Sequence, residues 1–91
     1  MKKRVECNIT GRVQMVMYRD FTKRAARRLG LTGFVKNNSN GSVAVMAEGE
    51  EDDCRAFLKK LEKGPLLARV DRLEAIWKEA ASDFLDFHIV Y

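Results

Sequence analysis

The sequence predicts an α+β sandwich, in which two helices pack on one face of a mostly antiparallel sheet. Three observations support this prediction: several short segments alternate apolar and polar residues, two longer segments have helical periodicity, and turn-forming residues separate them. The chain has 91 residues, of which 46% are hydrophobic and 33% are charged. This length and composition are typical of one globular domain, and we expect residues 1–91 to form it.

The first predicted elements are a strand and a helix. Between Arg4 and Thr10, apolar and polar residues alternate with the period of a half-buried strand, the apolar ones being Val5, Cys7 and Ile9. From Arg19 to Leu29, small and apolar residues recur every three or four positions, and basic residues occupy the other face. This pattern predicts an amphipathic helix that ends at Gly30.

A hairpin and a second helix follow. Segments 31–37 and 42–48 are predicted strands, and the Asn40-Gly41 pair between them is a strong signal for a tight reversal. Gly49 and the acidic run 50–53 then precede an apolar stripe at helical spacing, with lysines near its end. Acidic residues at the start and basic residues at the end both suit the helix dipole, so this segment is predicted to be a helix.

The last segments are predicted to be two strands. Gly64-Pro65 ends the second helix, and the alternation in 70–77 slips phase between Val70 and Leu73, which predicts a bulge. A closing strand follows, with Phe87, Ile89 and Tyr91 on one face. The resulting order is a ferredoxin-like βαββαβ sandwich with an additional C-terminal strand.

The cysteines, the charge and the termini narrow the possible functions. Cys7 and Cys54 form no CxxC pair and share the chain with a single histidine, so we expect buried reduced thiols and no metal site. The chain has 17 basic and 13 acidic side chains, a balance that suits either a nucleic acid or a small anion. With neither a signal-like segment nor a membrane-spanning one, a cytoplasmic location is expected.

The segment between the first strand and the first helix is the best candidate for a site. It reads Gly11-Arg-Val-Gln-Met-Val-Met-Tyr18 and contains no proline, so every backbone N–H group is available. Amides that converge before a helix N-terminus can hold an anion such as phosphate, and the helix dipole strengthens the site. Arg19 follows at the rim, where its guanidinium could hold two phosphoryl oxygens. Spacing alone, however, favours a plain connecting loop and a solvated arginine over a site.

The sequence GRVQMVMYR, followed by LGLTGFVKNNSNGSV, resembles the acylphosphatase family, whose motifs are GxVQGVxFR and GLxGxVxNxxDGxV. The resemblance extends over nearly the whole chain. Thirteen positions match the family in register. Ala26 lies between the two motifs, and the other twelve are in them: Gly11, Val13, Gln14, Val16, Arg19, Gly30, Leu31, Gly33, Val35, Asn37, Gly41 and Val43. The resemblance implies the same ferredoxin-like fold and the hydrolysis of acyl phosphates to carboxylate and phosphate, with no metal or other cofactor.

The resemblance also assigns roles to residues. Arg19 is implied to bind the phosphoryl group and Asn37 to position the attacking water. The loop residues are implied to bind phosphate mainly through backbone N–H groups; they are Val13, Gln14, Met15, Val16, Met17 and Tyr18. The implied partners are a small-molecule acyl phosphate and inorganic phosphate, and a monomer is expected.

One position in the first motif departs from the family. Met15 stands where the motif has its second glycine, and a left-handed backbone there would cost a side-chain-bearing residue ~1 to 2 kcal/mol. The methionine could also line the pocket for a bulkier acyl group. Two binding functions compete with the enzyme. A phosphate-binding domain with little turnover is one, and an RNA-binding sheet is the weaker other, because no stacking pair of aromatic residues is visible on the predicted strands.

Overall fold

The computed structural model describes residues 1–91 and contains two helices and five strands. Their bounds in chain order are β1 (Lys2–Arg12), α1 (Tyr18–Arg28), β2 (Thr32–Asn37), β3 (Val43–Glu50), α2 (Glu51–Lys63), β4 (Arg69–Glu79) and β5 (Phe87–Val90). The predicted order is confirmed, and each predicted element lies within a few residues of its position. Neither α1 nor α2 has the length and the apolar composition of a membrane-spanning helix.

The five strands form one sheet in the order β4-β1-β3-β2-β5. All neighbouring strands are antiparallel except β2 and β5, which run parallel. As a result the C-terminal ends of β1, β2 and β5 all lie at the same end of the sheet, and β4 begins at that end. This arrangement confirms the predicted ferredoxin-like sandwich, with β5 as the additional strand.

The core lies between the helices and one face of the sheet. The predicted strand positions Val5, Cys7 and Ile9 are all buried, and they pack with side chains that include Phe57 and Phe87. Phe57 and Phe87 meet edge to face, with ring centroids 6.0 Å apart. Pairs of this kind add directional packing to the area that they bury.

Both cysteines are free and buried, as predicted. Burial raises the pKa of the Cys7 thiol to about 12 and that of the Cys54 thiol to about 11. A thiol with so high a pKa forms almost no thiolate at neutral pH. The two cysteines therefore act as small apolar core residues.

The predicted bulge is present in β4. Gly11 pairs with Val70, whereas the preceding Thr10 pairs with Arg72, so Asp71 is the extra residue on β4. Gly11 has a φ of 129°, and a Cβ atom there would collide with the carbonyl oxygen of Arg69. Only glycine fits at this position, where β1 leaves the sheet toward the loop before α1.

A buried carboxylate pins the segment between β4 and β5. Glu48 is only 5% exposed and accepts a hydrogen bond of 2.6 Å from Arg4 Nε. It also accepts hydrogen bonds from the backbone N–H groups of Ala81 and Ser82, each at 2.9 Å. Burial acts to raise the pKa of Glu48, but these hydrogen bonds outweigh it and bring the pKa below its ordinary value.

We expect Glu48→Gln to lower the free energy of unfolding by about 1 to 3 kcal/mol at pH 7, since it removes the buried negative charge that pairs with Arg4. Because the pKa of Glu48 is lower in the folded state, its contribution is complete above the unfolded-state pKa and is lost as the pH falls through the folded-state pKa. The difference in free energy of unfolding between the native protein and Glu48→Gln should therefore become smaller below about pH 4 in urea titrations.

The matched control is Glu79→Gln, at an exposed ion pair, which should change the free energy of unfolding by less than about 0.5 kcal/mol. Equal effects of the two substitutions at pH 7 would contradict the role of Glu48.

Candidate active site

The loop between β1 and α1, residues 13–17, lies at the end of the sheet where β1, β2 and β5 terminate. Its backbone alternates in handedness. Met15 has a φ of 60° and Met17 a φ of 63°, whereas φ is negative at Gln14 and Val16. Alternation of this kind turns successive N–H groups toward the same side and creates a concave site for an anion. The left-handed backbone considered possible at Met15 is therefore present.

The N–H groups of this segment are free. From residue 13 to residue 20, no backbone N–H group donates to an acceptor in the protein. Met17 is the N-cap of α1 and makes no side-chain capping bond. Because α1 has 11 residues, its dipole adds a positive potential at the same point. The segment thus offers several free donors and a favourable field to an anion.

Buried side chains and one amide hold the loop in place. Val13 and Val16 are buried in the core, which anchors the loop on both sides of Met15. Gln14 Nε2 donates to the carbonyl oxygens of Asn38 and Ser42, at 2.8 and 2.9 Å. The Gln14 side chain therefore joins the loop to the β2–β3 turn, a role that the sequence did not reveal.

Tyr18 is the first residue of α1, one position before the predicted start. Its ring is buried, and its hydroxyl group donates a 2.6 Å hydrogen bond to the carbonyl oxygen of Leu61 in α2. Burial raises the pKa of this hydroxyl group, so it stays protonated. The side chain thus fixes the start of α1 against the end of α2, and only the backbone N–H group of Tyr18 is available to a ligand.

The guanidinium group of Arg19 has no carboxylate partner and makes no hydrogen bond to the protein. Its only aromatic contact is with Tyr91, whose ring centroid lies 4.9 Å from Cζ. By contrast, Arg24 and Arg27 on the same helix form ion pairs with Asp20 and Asp86. Arg19 is therefore held over an aromatic ring, with its donors free for a ligand.

Asn37 is the last residue of β2, opposite Val43. Its Oδ1 atom is buried and has no hydrogen-bond partner in the protein. A buried acceptor without a partner costs roughly 1 to 3 kcal/mol, so in a native structure it calls for a specific reason. A donor from a bound molecule would satisfy it.

A cavity of about 410 Å³ brings the predicted residues together. Nine residues line it: Val13, Met15, Met17, Tyr18, Arg19, Asp20, Asn37, Ile89 and Tyr91. Gln14 and Val16 are not among them, because their side chains anchor the loop. Asp20, Ile89 and Tyr91 were not predicted as site residues. Ile89 lies in β5 and Tyr91 directly follows this strand. The sequence alternation predicts both on one face, but only the pairing of β5 with β2 brings them into one cavity with Asn37.

These features define a class of protein: an α+β sandwich in which a loop of free backbone N–H groups lies beside a free arginine and an asparagine. The model of the acylphosphatase family matches residues 5–89. A protein named Acylphosphatase from Salinibacter ruber is 46% identical over 88 residues, which cover 97% of this chain and 93% of that protein. A second one, from Geotalea uraniireducens, is 43% identical over the full length of both chains.

Solved structures agree with these relatives. The crystal structure of acylphosphatase from Bacillus subtilis is 29% identical and aligns with a TM-score of 0.95 over 98% of this chain and 99% of that one. An acylphosphatase structure from Coxiella burnetii is 31% identical and has a TM-score of 0.91, over 98% of this chain and 93% of that one. The chain belongs to the acylphosphatase family and is an enzyme, a hydrolase of that family's type. The resemblance found in the sequence is confirmed.

We expect Met15→Gly to raise the free energy of unfolding by about 0.5 to 1 kcal/mol. Glycine adopts a φ of 60° without strain, and part of this gain is offset by the larger entropy of glycine in the unfolded chain. Urea titration measures the difference. Met15→Ala is the control, because it keeps the Cβ atom and should stay within about 0.5 kcal/mol of the native protein. A loss of stability in Met15→Gly would contradict the strain at this residue.

Proposed function

We propose that the chain hydrolyses the carboxyl–phosphate bond of acyl phosphates without a metal ion or other cofactor, with Arg19 and Asn37 as its catalytic residues. The observation that carries this proposal is that free loop amides, the unpaired Arg19 guanidinium and the unpartnered Asn37 Oδ1 belong to one small site. Each of these groups lacks a partner inside the protein, and a phosphoryl group with an attacking water would supply partners for all of them.

The phosphoryl group binds in the loop. Backbone N–H groups between Val13 and Tyr18 donate to its oxygens, and the dipole of α1 favours its negative charge. Because these donors are already oriented by the left-handed turns at Met15 and Met17, they need no rearrangement when the substrate binds. This arrangement supports the predicted role of the loop residues as a phosphate site formed mainly by the backbone.

Arg19 supplies the positive charge. Its planar fork of donors can bind two phosphoryl oxygens at once, a geometry that lysine lacks. The ring of Tyr91 limits the orientations of the guanidinium group and leaves its N–H edges free. As the bond to the leaving group breaks, charge accumulates on the phosphoryl oxygens, and Arg19 stabilises it.

Asn37 positions the water. Its buried Oδ1 can accept a hydrogen bond from water and so aim a lone pair of the water oxygen at phosphorus. The new P–O bond forms as the bond between phosphorus and the acyl oxygen breaks. The carboxylate leaves with the electron pair, and a phosphate oxygen takes the proton of the water. Asp20, the one carboxylate of the cavity, is paired with Arg24 and is not needed as a base.

Residues 1–91 act as one acylphosphatase-like domain and as a monomer in the cytoplasm. The buried free thiols are compatible with a reducing compartment. The substrate is a small-molecule acyl phosphate, and inorganic phosphate is both product and competitor. No nucleic acid or membrane takes part.

We expect Arg19→Ala to lower kcat/KM for acetyl phosphate roughly a thousandfold or more, because it removes the charge that stabilises the transferring phosphoryl group. The assay is run with EDTA present, so that it also tests the independence from metal. Arg28→Ala is the matched control on the same helix, because Arg28 is exposed and does not line the cavity, and it should retain activity within about threefold. Activity retained in Arg19→Ala, or lost on adding EDTA, would sink the corresponding part of the proposal.

We expect Asn37→Ala to lose most turnover while inorganic phosphate still inhibits with nearly the native inhibition constant. The substitution removes the water-positioning oxygen but leaves the loop amides and Arg19 in place. Residual activity and product inhibition are measured on the same preparation. If phosphate binding weakens while kcat is unchanged, Asn37 binds the phosphoryl group instead of the water.

A further inference from the structure

The rim of the active-site cavity is unusually apolar. Met15 is 100% exposed, Met17 70% and Tyr91 94%, and all three line the cavity together with Ile89. Exposed apolar side chains that cluster around a cavity mark a binding surface more often than scattered ones do. The phosphoryl group needs only the polar part of this site, which the loop amides, Arg19 and Asn37 form.

The two methionines contribute little to the fold. Both have left-handed φ angles, which a side-chain-bearing residue adopts only at a cost, and Met15 makes no compensating burial. Their N–H groups would serve a phosphate equally well from glycine. The apolar surface of these side chains is therefore available to a ligand rather than used in packing.

The cavity is large enough for such a ligand. Its volume of about 410 Å³ lies within the ~300 to 1,000 Å³ range of pockets that hold small organic molecules. Methionine is flexible and polarisable, so it can fit an aliphatic or an aromatic group. The polar and apolar halves of the cavity match the two halves of an acyl phosphate whose acyl group is large.

We infer that Met15, Met17, Ile89 and Tyr91 bind the acyl group and make the enzyme selective for acyl phosphates with an extended apolar acyl chain over small ones such as acetyl phosphate. This inference rests on the proposed function and deepens it. The acyl chain lies across the methionine side chains while the phosphoryl group occupies the loop. Selectivity follows because each methylene group that leaves water on this surface tightens binding.

The test compares kcat/KM for acetyl, butanoyl and octanoyl phosphates. These substrates have carboxylate leaving groups of nearly equal basicity, so a difference among them reports on the acyl chain and not on reactivity. In the native protein, kcat/KM should rise with chain length, by about tenfold or more from acetyl to octanoyl, chiefly through a lower KM.

Met15→Ser and Met17→Ser remove the apolar surface and keep a side chain in the left-handed backbone. Each should lower the ratio of octanoyl to acetyl kcat/KM by about threefold to tenfold. The ratio is measured on one preparation, so partial unfolding of a variant cancels from it. Leu85→Ser is the matched control, because Leu85 is fully exposed and is not part of the cavity, and its ratio should equal that of the native protein.

Each result has a clear meaning. A rising profile in the native protein that is reduced in both methionine variants supports the inference. A flat profile, or a rise that both variants retain, overturns it while leaving acyl phosphate hydrolysis intact. Failure of the native protein to hydrolyse any of the three substrates contradicts the proposed function itself and the inference with it.

Discussion

The two hydrogen bonds from Gln14 Nε2 to the carbonyl oxygens of Asn38 and Ser42 hold the site together. They connect the loop that carries the free amides to the turn that follows Asn37. The buried side chains of Val13 and Val16 anchor the loop in the core, and the Gln14 bonds add a direct link to the β2–β3 turn. A side chain that does not line the cavity thus fixes the free loop amides relative to Asn37. Catalysis that depends on orientation requires this precision.

The candidate site contains features that destabilise the folded protein, and interactions elsewhere in the fold offset them. Two left-handed residues and the buried, unpartnered Asn37 Oδ1 destabilise the folded protein. At the other end of the sheet, the buried Glu48 gathers hydrogen bonds from Arg4 and from the segment before β5. That network secures the approach to β5, the strand that carries Ile89 to the cavity. The stabilising Glu48 network and the candidate active site therefore lie at opposite ends of one sheet.

The elements of the fold follow closely from local patterns. Alternation at Val5, Cys7 and Ile9 marks β1, and the slip between Val70 and Leu73 marks the bulge in β4, because both reflect which face of a strand is buried. The part of the candidate site that is continuous in sequence could also be predicted. Free amides before a helix, followed by Arg19, form a local motif, and the motif's resemblance to acylphosphatases added Asn37.

The sequence by itself determined the order of the elements, and it singled out the loop before α1, Arg19 and Asn37 as the candidate site, since each depends on neighbouring residues or on a motif. Only the tertiary structure decided that Gln14 bonds to the β2–β3 turn, that the ring of Tyr91 lies against Arg19, and that Met15 lines the cavity with a left-handed backbone. The physical reason is distance along the chain. These contacts arise when β5 pairs with β2 and the ends of separate strands meet. Local periodicity does not specify which strands lie next to each other in a sheet.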